Sequence, residues 1–190
     1  MKKSTWAAAG LAAAALAWTW ACASAPPDPT ALAIIESRSG STVTGKVVFT
    51  QLSSGQTRAE IWIQGAAPGN HGIHIHDKGD CSAPDAASAG GHFNAAGNPH
   101  AAPTDPKRHN GDFGNIEIGA DGKGHTVITT DMLTVTPGPN SVVGRSVVFH
   151  EKADDLTTQP TGNSGARFGC GVVVFTPTGN ANAQKVYKGR

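Results

Sequence analysis

Residues 72–76 read Gly-Ile-His-Ile-His, and this alternation narrows what the surrounding chain can become. Successive side chains of a β-strand point to opposite faces, so His74 and His76 project from one face and Ile73 and Ile75 from the other. On an α-helix the two histidines would diverge by about 200°. The run therefore reads as a strand with an apolar side and an imidazole side. Six of the eight histidines, His71, His74, His76, His92, His100 and His109, fall with Asp112 inside the 42 residues from His71 to Asp112. His92, His100 and His109 are separated by Gly-, Pro- and Asn-rich segments, which is loop chemistry. Histidines and a carboxylate gathered in this way point to a metal centre.

The rest of the chain is organised as strands. Ala31 to Ser37, Thr42 to Gln51 and Thr57 to Gln64 alternate or nearly alternate, with Gly/Ser turns at Ser39-Gly40 and Ser54-Gly55 between them. Further strands are expected at Asn70 to Asp77, Gly114 to Ile118, His125 to Thr130, Arg145 to His150, Gly171 to Phe175 and Ala183 to Tyr187. Many short strands with 24 glycines predict an all-β sandwich or barrel. Two long stretches break the rhythm, Lys78 to Asn110 and Glu151 to Gly169. Ordered loops longer than about 15 residues are usually functional, and these two carry the histidines, an acidic cluster and an arginine.

His71-Gly-Ile-His-Ile-His, Gly-Gly-His-Phe-Asn at 90–94, the segment Phe149 to Leu156 (FHEKADDL) and Gly162 to Val172 (GNSGARFGCGV) occur in an order that closely resembles the copper,zinc superoxide dismutases, from about Thr42 to Val174. The resemblance implies an eight-stranded Greek-key β-barrel, an immunoglobulin-like sandwich with two long functional loops, the zinc loop and the electrostatic loop. It implies copper held by His74, His76, His92 and His150, and zinc held by His92, His100, His109 and Asp112. His92 then serves both metals through its two ring nitrogens. Asp154 is expected to accept hydrogen bonds from His74 and His100 and so orient both rings. Arg167 is expected to dock the superoxide anion beside copper. The implied activity is a ping-pong cycle in which one superoxide reduces copper and leaves as dioxygen, and a second reoxidises it and leaves as hydrogen peroxide. His92 is expected to release copper on reduction and carry one of the protons.

Several of these residues have plainer readings. A single loop histidine is ordinarily solvated, and Asp154 and Arg167 taken alone could be surface charges. Asp155 fits that description better than Asp154. His71 lies an odd number of residues from His74 and His76 and is read as structural. His125 lies outside every motif and is read as an exposed strand residue. A non-catalytic copper-binding or copper-delivery module on the same barrel is the rival from another class. Such a module would be expected to lack a zinc ligand, the bridge or the arginine, and this chain has all of them.

The first 23 residues have the form of a signal peptide, with Lys2 and Lys3 ahead of an apolar run from Trp6 to Ala21 that is short for a membrane span. Cleavage after Ala23 removes two lysines and no acid, which takes the formal charge from +1 to −1. A chain so balanced makes no electrostatic case for nucleic acid. Cys22 either leaves with the signal or is lipidated as a membrane anchor, although Thr-Trp-Ala before it is a poor lipobox. Residues 24–30, with three prolines, are expected to form a flexible spacer before a domain spanning 31–190. The expected address is periplasmic or extracellular. In an oxidising compartment Cys81 and Cys170 read as a disulfide, and the family pairs cysteines at both positions. The family resemblance also admits a homodimer. One segment departs from the pattern: between Leu156 and Gly162 stands only Thr-Thr-Gln-Pro-Thr, where eukaryotic relatives carry a longer stretch with acidic residues and a lysine. Steering of the anion is then expected to rest on Arg167 with help from Lys152.

Overall fold

The computed structural model describes residues 28–176. Eight strands follow one another as β1 (Thr30–Ser37), β2 (Thr44–Gln51), β3 (Thr57–Gln64), β4 (Gly69–His76), β5 (Asp112–Ile118), β6 (Lys123–Thr130), β7 (Ser146–His150) and β8 (Arg167–Thr176). All pairings are antiparallel, in the order β5-β4-β7-β8-β1-β2-β3-β6. The turn at residues 119–122 joins β5 and β6, the two ends of this ladder, through Gly119 N–H to Lys123 O at 2.8 Å. The result is a nearly closed Greek-key barrel: all-β, as the alternation predicts, and eight-stranded in Greek-key order, as the resemblance implies. A ninth strand, expected at Ala183 to Tyr187, and the leader with Cys22 both lie outside the described residues. Among the described residues no helix is long and apolar enough to cross a membrane.

Period-two patterning builds the core. On β3 the side chains of Thr57, Ala59, Ile61 and Ile63 are buried while those between them are partly exposed. Ile73 and Ile75 of β4, Val147 and Phe149 of β7 and Phe49 of β2 are fully enclosed with them. Each large apolar side chain so buried contributes about 1.5–3 kcal/mol. β4 departs from simple alternation, for every residue from His71 to His76 is buried. Its outer face, with His74 and His76, lies under the two long loops.

Element bounds differ from expectation where loops meet strands. Thr30, the last residue of the expected spacer, already belongs to β1. β5 begins at Asp112 rather than Gly114, and β6 at Lys123 rather than His125. β8 begins at Arg167, four residues ahead of the expected Gly171. Strand pairing with β7 decides this last difference, since Arg167 stands opposite His150 across a register shift.

Candidate metal centre

The two loops are packed onto the outer face of β4 by backbone pairing. Segment 91–93 lies antiparallel to 75–77: Phe93 N–H donates to Ile75 O at 2.8 Å and Asp77 N–H to Gly91 O at 2.9 Å. This sets His92 directly across from His76. Gly111 allows the far end of the loop to come equally close, because a Cβ there would overlap the Ile75 carbonyl. Arg145 fastens the same corner. Its Nη1 donates to Asp77 O at 2.9 Å and to Asp77 Oδ1 at 2.6 Å, and its guanidinium carbon lies 3.3 Å from the Phe93 ring centroid. The disulfide between Cys81 and Cys170 ties the start of this loop to β8. Closing a loop of sequence separation 89 stabilises the fold by about 4–5 kcal/mol on a chain-entropy basis.

Two groups of four buried side chains result, His74, His76, His92 and His150 in one and His92, His100, His109 and Asp112 in the other. Within each group the donor atoms lie within 4.8 Å of one another. His92 belongs to both.

In the first group the nitrogens facing inward have no protein partner. His74 donates from Nε2 to Asp154 Oδ2 at 2.8 Å, which leaves Nδ1 bare. His76 donates from Nδ1 to Gly90 O at 2.9 Å, which leaves Nε2 bare. His92 Nε2 is likewise unpartnered, and neither ring nitrogen of His150 makes a formed hydrogen bond. Buried polar atoms without partners are costly, and bare imidazole nitrogens converging on one point fit a metal that prefers nitrogen. Burial pushes the value for His74 down to about 4. Burial, followed by the neighbouring imidazoles, drives His76 and His150 well below the ordinary range. These rings are therefore held neutral, which is the ligating form.

The second group converges on one carboxylate oxygen. Asp112 Oδ1 lies 2.9 Å from His92 Nδ1, 2.9 Å from His100 Nδ1 and 3.3 Å from His109 Nδ1. Ligands 2.0–2.1 Å from a tetrahedral ion stand about 3.3 Å apart, so the cluster is near the size of a small four-coordinate site. Asp112 Oδ2 is turned away and accepts the backbone N–H groups of Ala101 at 3.1 Å and His109 at 3.0 Å. Burial opposes ionisation of Asp112, but the bonds from His100 and His92 outweigh it and hold the carboxyl far below the usual carboxylate range. His100 faces carboxylates at both ring nitrogens, Asp112 from Nδ1 and Asp154 from Nε2. Against the effect of burial, these two bonds raise its value to about 9.

Asp154 joins the groups. Its Oδ2 receives His74 Nε2 at 2.8 Å and its Oδ1 receives His100 Nε2 at 2.9 Å. Burial opposes its ionisation too, and the two histidines overcome that and hold the carboxyl well below the usual range. Asp155, exposed, only organises the turn that follows, accepting Thr157 N–H at 3.0 Å and Thr158 N–H at 2.7 Å. Arg167, half-buried, donates from Nη1 to Ala86 O at 2.7 Å. Its place opposite His150 across β7 and β8 puts it beside the first group, where its charge adds a small lowering to the values of His76 and His150. Lys152 is exposed, its stem beside Gly165.

His71 and His125 join neither group. His71 faces the core, with its ring 5.1 Å from that of Phe149 and its nitrogens 3.0 Å from His150 O and 2.9 Å from Ala67 O. His125 stacks on Trp62 at 5.2 Å and reaches Glu60 at 3.1 Å on the exposed outer face of β6.

The family model for copper/zinc superoxide dismutase matches residues 43–173. This chain belongs to the copper/zinc superoxide dismutase family. A solved structure of a protein described as the clock protein EA4 matches with a TM-score of 0.72 at 34% identity, covering 80% of this chain and 97% of that one. Within this superoxide dismutase barrel, three residues around Asp154 escape a reading of the sequence. Asn115 on β5 accepts Asp154 N–H at 2.7 Å and donates to Asp154 O at 2.8 Å. Gln159 does the same for the backbone of His100, and Gly162 lies against the Asp154–His100 contact. Nothing local in the sequence marks what Asn115 and Gln159 do, because each acts on a residue far away in the chain, and Gly162 is legible only as the start of the Gly162 to Val172 motif, not as a neighbour of Asp154 and His100.

Proposed function

We propose that this protein is an exported superoxide dismutase, converting two superoxide anions and two protons into dioxygen and hydrogen peroxide. The observation that carries the reading is the pair of four-residue groups sharing His92, one with bare imidazole nitrogens turned inward and the other gathered on Asp112 Oδ1. We assign copper to His74, His76, His92 and His150, and zinc to His92, His100, His109 and Asp112. Copper, when bound, supplies the one-electron couple that superoxide alternately reduces and reoxidises, and zinc supplies a fixed charge.

The chain's own residues do the remaining work. Arg167 holds the anion beside the first group through charge-assisted hydrogen bonds, while its own bond to Ala86 O fixes the direction of the guanidinium. Burial keeps His74 and His76 neutral, and their bonds to Asp154 and Gly90 hold each in a single tautomer. His92 holds and releases a proton at Nε2. Asp154 sets the angle between a ring of each group. Lys152 adds positive potential toward the substrate. The buried Cys81–Cys170 disulfide suits an oxidising compartment, and a periplasmic or extracellular address, with the anchor at Cys22 or without it, belongs to this reading.

A protein that shares the fold is described as a clock protein rather than as an enzyme, which leaves room for the competing role of a non-catalytic copper-binding or copper-delivery module. The complete second group and Arg167 favour catalysis. The test is reconstitution of the purified protein with copper and zinc, followed by superoxide turnover before and after copper removal. His92→Ala is expected to lower the content of both metals, whereas His109→Ala lowers zinc and leaves copper largely bound. A copper-loaded sample no more active than the copper-free one would sink the proposal. Identical, copper-only losses in both variants would overturn the assignment of ligands.

A further inference from the structure

The short segment after Asp154 contributes no side chain to either four-residue group, yet it is built against one of them. Asp155 N–H donates to Gly162 O at 2.9 Å and Gly162 N–H to Thr158 O at 2.7 Å, closing residues 155–162 on themselves. Gln159 stands at the tip and reaches back across the gap between the loops. Its Oε1 accepts the backbone N–H of His100 at 2.8 Å, and its Nε2 donates to the backbone O of His100 at 2.7 Å. A second bond from Nε2 to Thr157 O at 3.1 Å fixes the amide orientation.

His100 lies in a loop and has no strand neighbour to pair its backbone. The carboxamide takes that neighbour's place, offering the one donor and one acceptor that a peptide group would offer. The ring of His100 is held at Nδ1 by Asp112 and at Nε2 by Asp154, so the residue is fixed at four points. Three of the four, the backbone N–H, the backbone O and Nε2, are held from one stretch, Asp154 to Gln159. A ring whose nitrogens are fixed can still be misdirected if its backbone shifts, because the Cα–Cβ direction sets where Nδ1 points. No other common side chain fits the position: Glu lacks the donor, and Asn is one methylene shorter.

We infer that Gln159 is a positioning residue for His100, holding its backbone so that Nδ1 stays aimed into the second group. The inference rests on the reading of that group as the zinc site, and adds to it a residue of the shortened electrostatic loop. The amide clamp gives a short loop the grip on the zinc loop that its length alone does not provide.

The full chain with its disulfide intact is compared with Gln159→Met, Gln159→Ala and Gln159→Glu. Three quantities are read: hydrogen exchange of the His100 amide in metal-free protein, the rate of zinc loss to a chelator, and the visible absorption of cobalt(II) placed in the second group. In the Met and Ala variants the His100 amide exchanges faster, the cobalt bands shift, and zinc is lost about tenfold faster, the low end of what loss of an outer contact to a ligand costs. Copper retention and circular dichroism stay as in the parent. Gln159→Glu, which keeps the acceptor only, falls between. Unchanged exchange at His100 overturns the inference, as does faster exchange with unchanged zinc loss and cobalt spectrum. A parent protein that takes up neither zinc nor cobalt sinks the metal assignment and the inference with it, a result distinguishable from a parent that binds both metals and variants that match it.

Discussion

Replacing Gly162 by alanine tests whether the Asp154–His100 contact stabilises the centre. Gly162 has φ +68°, and an added Cβ would overlap Asp154 Oδ1, sit 2.6 Å from Asp154 Cγ and 2.7 Å from His100 Nε2. Gly40 has φ +72° with nothing within 4 Å of the same added atom, so Gly40→Ala carries the backbone cost alone. That cost is about 1–2 kcal/mol for a left-handed residue, less the gain from a stiffer unfolded chain, and is common to both variants. The difference between them is therefore steric. To relieve the 2.6 Å approach to an ordinary contact of 3.4 Å, the carboxylate must retreat by about 0.8 Å. An oxygen now 2.9 Å from His100 Nε2 that retreats that far is no longer hydrogen-bonded. Losing one bond to a charged group costs about 1.5–3 kcal/mol, and the bond to His74 at 2.8 Å is exposed to the same movement. Gly162→Ala should thus be destabilised by about 2–4 kcal/mol more than Gly40→Ala. Urea unfolding of the metal-free protein at neutral pH measures it. Equal destabilisation of the two variants would show that the carboxylate yields freely and that the contact contributes little.

Two further outcomes follow from the charges. His74, held near 4, and His76 and His150, held well below 6.5, leave the folded metal-free chain binding fewer protons than the unfolded chain as pH falls from about 6.5 toward 4, so its stability should decline through that window. His100 acts oppositely: raised to about 9, it stabilises fully below 6.5 and loses that contribution as pH rises toward 9, a loss that zinc should abolish by displacing the Nδ1 proton. Denaturant midpoints that rise on acidification from pH 7 to 5 would contradict this account. Under the proposed function, kcat/KM for superoxide should fall with ionic strength less steeply than in relatives with a longer electrostatic loop, and Arg167→Ala should flatten the slope further. A steep slope untouched by that substitution would place the attracting field elsewhere.

How far the sequence can be read depends on the range of the interaction. The His74/His76 pair and the strand that carries it were legible because alternation is local, as were the alternating faces of β1 to β3. Which glutamine or asparagine clamps which backbone was not, since His100 and Gln159 are 59 residues apart. The placement of Arg167 shows the boundary well. Its sequence context reads as a loop ahead of Cys170, yet pairing with His150 makes it the first residue of β8 and brings its charge to the first group.

By itself the sequence determined an all-β chain, two long loops rich in ligand-type residues, and a strand with imidazoles on one side and isoleucines on the other. Those properties follow from backbone periodicity and side-chain chemistry, which neighbours in the chain suffice to express. It took the fold to settle which nitrogen of His74, of His76 and of His92 is left bare, that three Nδ1 atoms meet on one oxygen of Asp112, and that Asp154 spans both groups. Each of these is a choice of ring orientation or tautomer, made by hydrogen bonds such as His76 to Gly90 and His74 to Asp154 that exist only once the loops have closed over β4.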